Sequence, residues 1–320
     1  MHVAAKIQDK VSGDLMKQSK FVKDFKKNRE LFFLSLPTAI FILIFSYIPM
    51  YGLLLPFKNY NYGDGFWKSK WAGLDNFKYL FDNATILKIT TNTILYNLAG
   101  IFLGLFFSIV FALMLNELSR RSVKFYQTTM FFPYFISWVV ASYIVLGLLD
   151  MEHGFLNKIL GLFGVQPIMW YNEPKYWPVI LILTTLWKSV GYSTLIYYAG
   201  MIGISDEYYE AAELEGATRL QQARLITLPL LKPLITMLTI LAIGRIFYGD
   251  FGLFYNIPRD VAALYPATDV IDTYVYRSLK KLGDIGMSSA AGFYQSTVGF
   301  ILVLITNYIV KKFDKENAIF

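Results

Sequence analysis

The sequence predicts an all-α, polytopic membrane fold with six transmembrane helices, and three observations predict it. Of 320 residues, 55% are hydrophobic and only 17% charged, against roughly a quarter charged in an ordinary soluble domain. Six separate stretches are apolar over the length a spanning helix needs, about 20 residues. The basic residues gather in the tails and the connecting segments, where they set orientation in a bilayer.

Each element follows in order. Residues 1–30 form a polar tail carrying Lys6, Lys10, Lys17, Lys20, Lys23, Lys26, Lys27 and Arg29. No short apolar run with a small-residue cleavage site comes before the first span, so this tail is not expected to be a signal peptide. The spans are placed at 31–55, 91–116, 125–149, 177–203, 233–255 and 291–310. Together they make one domain over 31–312, followed by a short tail at 313–320. An even number of spans puts both termini on one side. That side collects the N-terminal cluster, Arg120, Arg121, Lys124, Arg219, Arg224, Lys232, Lys311, Lys312 and Lys315. This set is larger and nearer the span ends than the opposite one, so both termini and the 204–232 loop are expected in the cytoplasm. Trp67, Trp71, Trp170 and Trp177 fall in or beside outer loops, where indole rings favour the headgroup level. Segment 71–81 reads as a short interfacial helix. Gly100 and Gly104 form a GxxxG in the second span, a spacing that permits close helix approach.

Composition excludes several kinds of chemistry. Cys is absent and only His2 and His153 are present, which rules out disulfides and thiolate chemistry and argues against a His-built metal site. The net charge of +7 is accounted for by membrane topology, and no nucleic-acid partner is expected. There is no Walker A pattern, so the chain is not its own nucleotide engine. No catalytic residue is assigned, and no cofactor is expected on the chain itself.

The most specific stretch lies between the fourth and fifth spans. Ser205, Asp206 and Glu207 offer a cap and negative charge where a helix can begin. Ala211 and Ala212 keep one face small. Gly216 breaks the helix and accepts a positive φ. Thr218 and Gln221 have capping-box spacing for a second short helix. Pro229 disfavours helix at Leu228, and Pro233 permits a start for the next span. The product is a helix–turn–helix elbow.

The elbow resembles the cytoplasmic EAA motif of permease subunits in type I ABC importers. Glu210, Ala211, Ala212, Gly216, Ala217, Ile226, Leu228 and Pro229 stand at matching positions. Glu215 stands where the family often has Asp, and Ala223 where an aromatic is frequent. Pro133-Tyr134-Phe135-Ile136-Ser137-Trp138 and Trp187-Lys188-Ser189-Val190-Gly191-Tyr192 look like the third and fourth spans of sugar permeases. Asp269 to Arg277 resembles the last outer loop of an oligosaccharide and polysaccharide branch that includes the alginate permeases. The resemblance covers roughly 31–312 and implies the type I ABC permease fold in a bacterial cytoplasmic membrane. It implies a second homologous permease, two ATPase subunits that carry ATP and Mg, and an extracytoplasmic solute-binding protein. The cargo it implies is an oligosaccharide or polysaccharide fragment. Glu210, Ala211, Ala212, Glu215, Gly216, Ala217, Leu228 and Pro229 are then the residues that couple to the ATPase.

Charges inside a bilayer are costly and default to functional candidates, and aromatic faces beside hydrogen-bonding groups suit sugar rings. The candidate pathway residues are Trp187, Lys188, Tyr192, Tyr197, Arg245, Tyr248, Asp250, Phe254, Tyr294 and Gln295. Structural roles stand beside this reading: Lys188 and Arg245 can bind helix-end carbonyls or snorkel, and Asp250 can neutralise Arg245. Two other functions remain open at this point. A secondary transporter would need coupling carboxylates in the spans, and Asp250 is nearly the only one. A membrane-embedded glycan enzyme would need paired carboxylates, for which only Asp269 and Asp272 stand close in sequence.

Overall fold

The structure is a computed structural model that describes residues 25, 27–81 and 84–313. The expected tails at 1–30 and 313–320 fall almost wholly outside the described residues. The chain divides into two compact units, Met1–Leu54 and Leu55–Phe320.

Helix α1 (Arg29–Ile42) of the first unit continues through a π-helical turn, Leu43–Tyr47, into a 3-10 stretch, Ile48–Phe57, whose last residues, 55–57, belong to the second unit. After Arg29 and Glu30 the sequence of this stretch carries no charge. It is apolar on every face, the pattern of a membrane span. Pro37 lies inside α1.

The second unit opens on a small hairpin in which β1 (Lys58–Asn59) pairs antiparallel with β2 (Lys70–Trp71), Lys58 opposite Trp71. Between the strands lies α2 (Gly65–Lys68), and after them α3 (Asp75–Phe81). The long helix α4 (Ala84–Asn116) is followed by α5 (Arg120–Phe135), α6 (Trp138–Leu149) and α7 (Phe155–Leu162). Helix α8 (Trp177–Ile202) leads into α9 (Asp206–Leu214), α10 (Arg219–Gln222) and α11 (Leu228–Ile243). The chain ends with α12 (Phe251–Asn256), α13 (Tyr265–Thr268), α14 (Ile271–Lys280) and α15 (Ile285–Phe313).

Five helical stretches are long and apolar enough to cross a membrane: Arg29–Phe57, Thr85–Asn116, Pro174–Ile202, Arg219–Ile243 and Ile285–Lys312. A sixth arises if α5 and α6, bent by 101° at their junction, count as one broken span. The expected count therefore stands, with three corrections to the elements. The third span breaks at Ile136–Ser137, because the Ser137 hydroxyl accepts from Val140 N–H at 3.2 Å and starts a new helix. The fifth ends at Ile243, not 255: the chain turns through Gly244 to Gly249, and Asp250 caps α12 by accepting from Leu253 N–H at 3.2 Å. The sixth begins at Ile285, not 291, so Tyr294 and Gln295 sit well inside it. Hydropathy alone misplaced the fifth because Phe247, Tyr248, Phe251, Phe254 and Tyr255 keep the window apolar across a real break.

Three buried clusters hold the second unit together. Ala141, Val145 and Leu149 of α6 meet Trp177 and Leu181 of α8 and Leu253, Phe254 and Ile257. Ile86 and Ile89 of α4 meet Ile246, Phe247, Ile271 and Ala290 and Ala291 of α15. Ala112, Tyr197, Met201 and Leu231 form the third, where α4, α8 and α11 come together. Trp177 is completely buried and donates to Trp170 O at 2.8 Å, while Trp170 Nε1 donates to Asn157 Oδ1 at 3.0 Å. Trp177 is therefore core, and Trp170 is half-buried against it, whereas Trp67 and Trp71 are exposed as expected. Close helix approach falls elsewhere than at Gly100 and Gly104, where an added Cβ would meet nothing within 4 Å. At Gly191 it would sit 1.8 Å from Met130 O, so it is this glycine that lets α8 cross α5.

Candidate functional site

The elbow is built by local caps. Ser205 Oγ accepts from Glu207 N–H at 3.4 Å, and Asp206 and Glu207 occupy the first turn of α9, near its positive dipole end. At the other end Gly216 adopts φ +77°. Gly216 N–H donates to Glu213 O at 3.0 Å and Ala217 N–H to Ala212 O at 2.9 Å, the paired bonds of a Schellman termination. The expected capping box follows at once: Thr218 N–H donates to Gln221 Oε1 at 2.7 Å and Gln221 N–H to Thr218 Oγ1 at 3.4 Å. Pro229 and Pro233 both lie inside a helix that runs unbroken from Arg219 to Ile243 through a π-helical turn at Ala223–Thr227, so the helix break expected at Leu228 and the start expected at Pro233 are not found. The π turn stands where Pro229 brings no N–H to the ladder.

Longer-range contacts fix the elbow's angle. Arg219 Nη1 lies 2.8 Å from Glu213 Oε1 and Arg219 Nε 3.5 Å from Glu117 Oε2 at the end of α4. The Tyr209 and Thr227 hydroxyls are 2.9 Å apart. These contacts frame a cavity of about 630 Å³ lined in part by Glu117, Asp206, Glu210, Glu213 and Gln222. Of the predicted coupling residues, Glu210, Ala211, Glu215, Gly216 and Pro229 are exposed, and Ala212, Ala217 and Leu228 half-buried. Leu214 and Leu220, either side of the turn, are 91% and 79% exposed.

A second cavity, of about 530 Å³, lies between α4, α8 and α11. Three predicted pathway residues line it: Tyr192, Tyr197 and Arg245. Tyr192 stacks on Tyr134 with centroids 4.6 Å apart and rings within 11° of parallel, and Phe131 lies stacked on Tyr134 in turn. Tyr197 is 4% exposed and belongs mainly to the third core cluster. Arg245 is exposed to the cavity mouth, and its guanidinium makes no ion pair or hydrogen bond among the described residues.

The other seven predicted residues do not line this cavity, and most are engaged in structure. Lys188 Nζ donates to Pro133 O at 3.3 Å, to Tyr134 O at 2.9 Å and to Ile136 O. Tyr134 O and Ile136 O are freed where α5 breaks, while Pro133 O also accepts from Ile136 N–H at 3.2 Å; the ammonium satisfies groups that a membrane interior leaves without water. Asp250 does not neutralise Arg245; it caps α12 and accepts from Trp138 Nε1 at 2.9 Å. Phe254 is buried edge-to-face against Tyr96. Gln295, 5% exposed, donates to Phe247 O at 2.6 Å and to Asp272 Oδ2 at 3.0 Å. Tyr294 packs edge-on against Phe247 and Phe81. Tyr248 and Trp187 are each 41% exposed, with Tyr248 OH donating to Ser296 Oγ at 3.2 Å. The two outer carboxylates suggested for an enzyme are also occupied. Asp269 pairs with Arg277, and Asp272 accepts from Gly249 N–H at 2.6 Å as well as from Gln295.

Sequence reasoning missed the polar stripe that faces the cavity from α8: Thr185, Ser189 and Ser193, spaced by four and running on to Tyr197. That spacing puts them on one helix face and was available as a signal. Gly100 and Gly104 line the same cavity from α4, where missing side chains make room.

Residues 100–315 match the family model described as binding-protein-dependent transport system inner membrane component. The chain belongs to that family. As an inner membrane component it is a transport permease subunit and not an enzyme. It is 34% identical to the polygalacturonan/rhamnogalacturonan transport system permease protein YteP of Bacillus subtilis (strain 168), over 91% of this chain and 90% of that one. It is also similar to a permease chain in the crystal structure of a bacterial ABC transporter that imports the acidic polysaccharide alginate. The TM-score is 0.85 at 30% identity, over 92% of this chain and 99% of that chain. The alginate transporter bound to a periplasmic protein holding an alginate pentasaccharide gives 0.83 at 31% identity, over 92% and 98%. The permease fold extends beyond the matched residues, since the solved structures also cover the region before residue 100.

Proposed function

We propose that this chain forms one half of the membrane pathway of an ATP-driven importer for an oligosaccharide or polysaccharide fragment. A second, homologous permease completes the pathway, two ATPase subunits dock on the elbow from the cytoplasm, and a solute-binding protein delivers cargo from outside. Both termini lie with the elbow on the cytoplasmic side, in keeping with the basic residues beside it. The carrying observation is the elbow itself: a short helix stopped by Gly216 at φ +77° and braced by Arg219 against Glu213 and Glu117. The elbow presents small and exposed apolar residues, Ala211, Leu214 and Leu220, to a partner surface. ATP and Mg act on the ATPase subunits; ATP-driven closure pushes the elbow, and the permease helices move with it. The cavity beside Tyr192 gives a sugar an aromatic face and hydroxyl partners.

The chain has no cysteine, so Ala211→Cys introduces a single crosslinking site. In vesicles that are importing sugar, it is expected to crosslink to a nucleotide-hydrolysing subunit. Absence of that product under active transport would sink the elbow's role.

A further inference from the structure

The two basic residues predicted inside the membrane have opposite circumstances. The Lys188 ammonium is spent on three backbone carbonyls. Arg245 has no partner among the described residues, although it lines a cavity of about 530 Å³. A guanidinium cannot shed its charge, and Arg245 is exposed in this cavity, where it can meet an anion. No carboxylate lines that cavity: its polar surface comes from Asn97, Thr185, Ser189, Tyr192, Ser193 and their neighbours. Thr185 and Ser189 already donate their hydroxyl protons to Leu181 O at 2.8 Å and Thr185 O at 2.7 Å. Their oxygens stay open as acceptors for hydroxyl donors. Asn97 likewise spends its amide N–H groups on Thr93 O and Ile246 O, at 2.9 Å and 3.0 Å. The cavity wall is thus rich in acceptors for sugar hydroxyls and holds one permanent, unneutralised cation.

We propose that this cavity selects a carboxylated saccharide, with Arg245 binding the uronate carboxylate in its planar fork and the α8 stripe receiving ring hydroxyls. The proposal rests on the saccharide-import reading above and adds the charge of the cargo and the residue that reads it. A guanidinium facing a carboxylate makes two parallel charge-assisted bonds, which a neutral sugar cannot replace. Arg245 hangs from the turn that ends α11, with its N–H donating to Ala242 O at 3.0 Å. Its position therefore follows any movement of that helix.

The test uses the assembled transporter in detergent without its binding protein, so that selection by the permease alone is read. Binding of an oligogalacturonate is compared with binding of the same oligomer after reduction of its carboxyl groups. The intact complex is expected to prefer the acidic ligand by about tenfold or more. Arg245→Gln should bring that preference close to unity, and Arg245→Lys should keep part of it because the charge remains. No preference in the intact complex, or a preference unchanged in Arg245→Gln, overturns the proposal. Loss of both ligands together in Arg245→Gln, with a lowered melting temperature, also overturns it by showing a structural role. If ATP-dependent uptake fails for every saccharide tried, the import reading itself falls; if only neutral saccharides are carried, that reading stands and this one does not.

Discussion

Lys188 and Arg245 show how much a residue's meaning depends on what surrounds it. Both looked alike as intramembrane cations, yet one closes a helix break and the other faces open space. Leaving a buried carbonyl without a donor costs roughly 1–3 kcal/mol; of the carbonyls Lys188 serves, Pro133 O keeps the Ile136 N–H, so the loss falls on Tyr134 O and Ile136 O. Lys188→Met is therefore expected to destabilise the permease by at least about 2 kcal/mol, read as a lowered melting temperature of the purified complex. Arg245→Gln orphans no carbonyl and should melt close to the parent. Equal melting of the parent and Lys188→Met would remove the capping role. Asp250 repeats the lesson: its two carboxylate oxygens go to Leu253 N–H and Trp138 Nε1, which leaves it poorly placed as an ion-coupling group.

At the scale of elements, glycines decide which helices touch and where they stop. An added Cβ at Gly191 would strike the backbone carbonyl of Met130 at 1.8 Å, and backbone cannot move aside as a flexible side chain can. Gly191→Ala should push α5 and α8 apart and sharply lower the yield of folded complex. Gly100→Ala and Gly104→Ala should fold normally, because nothing lies within 4 Å of either position. If all three variants fold equally well, the crossing does not depend on Gly191. The elbow makes a related demand on Gly216. Its φ of +77° costs an ordinary L-residue about 1–2 kcal/mol, and a β-branched side chain fits worst. Gly216→Val should leave assembly partly intact while ATP hydrolysis no longer drives uptake, measured as the ratio of transported sugar to ATP consumed. A normal ratio would count against the elbow's role.

Across the whole molecule, Asp272 ties together parts distant in sequence. Its carboxylate, between α14 and α15, accepts from Gly249 in the turn after α11 and from Gln295 within α15. Burial raises its pKa above the ordinary aspartate value, and the bonds from Gly249 and Gln295 only partly oppose that. A folded-state pKa above the unfolded one means the folded form holds its proton more tightly. The associated stabilisation is complete below the unfolded pKa and is lost as pH rises through the raised, folded value. Asp272→Asn removes this titration. The melting temperature of the parent relative to Asp272→Asn should therefore fall as pH rises from the ordinary carboxylate range through the raised folded value. A difference independent of pH across that window would show that Asp272 does not titrate as its burial dictates.

What the chain revealed unaided was whatever depends on short-range rules. Apolar length predicted six spans, and the caps Ser205, Gly216 and Thr218 drew the elbow in the right place, because a helix start or stop is settled within a few residues. The break after Ile243 escaped because hydropathy averages over a window and cannot see Asp250 capping a new helix. The fate of each polar group inside the membrane needed the tertiary structure. Lys188 finds its carbonyls 52 to 55 positions away, and Tyr96, Trp177 and Phe254 enter the core only once helices remote in sequence are packed. Whether a charge is spent or free depends on neighbours that folding brings together, and that is why Lys188 and Arg245 could be told apart only in three dimensions.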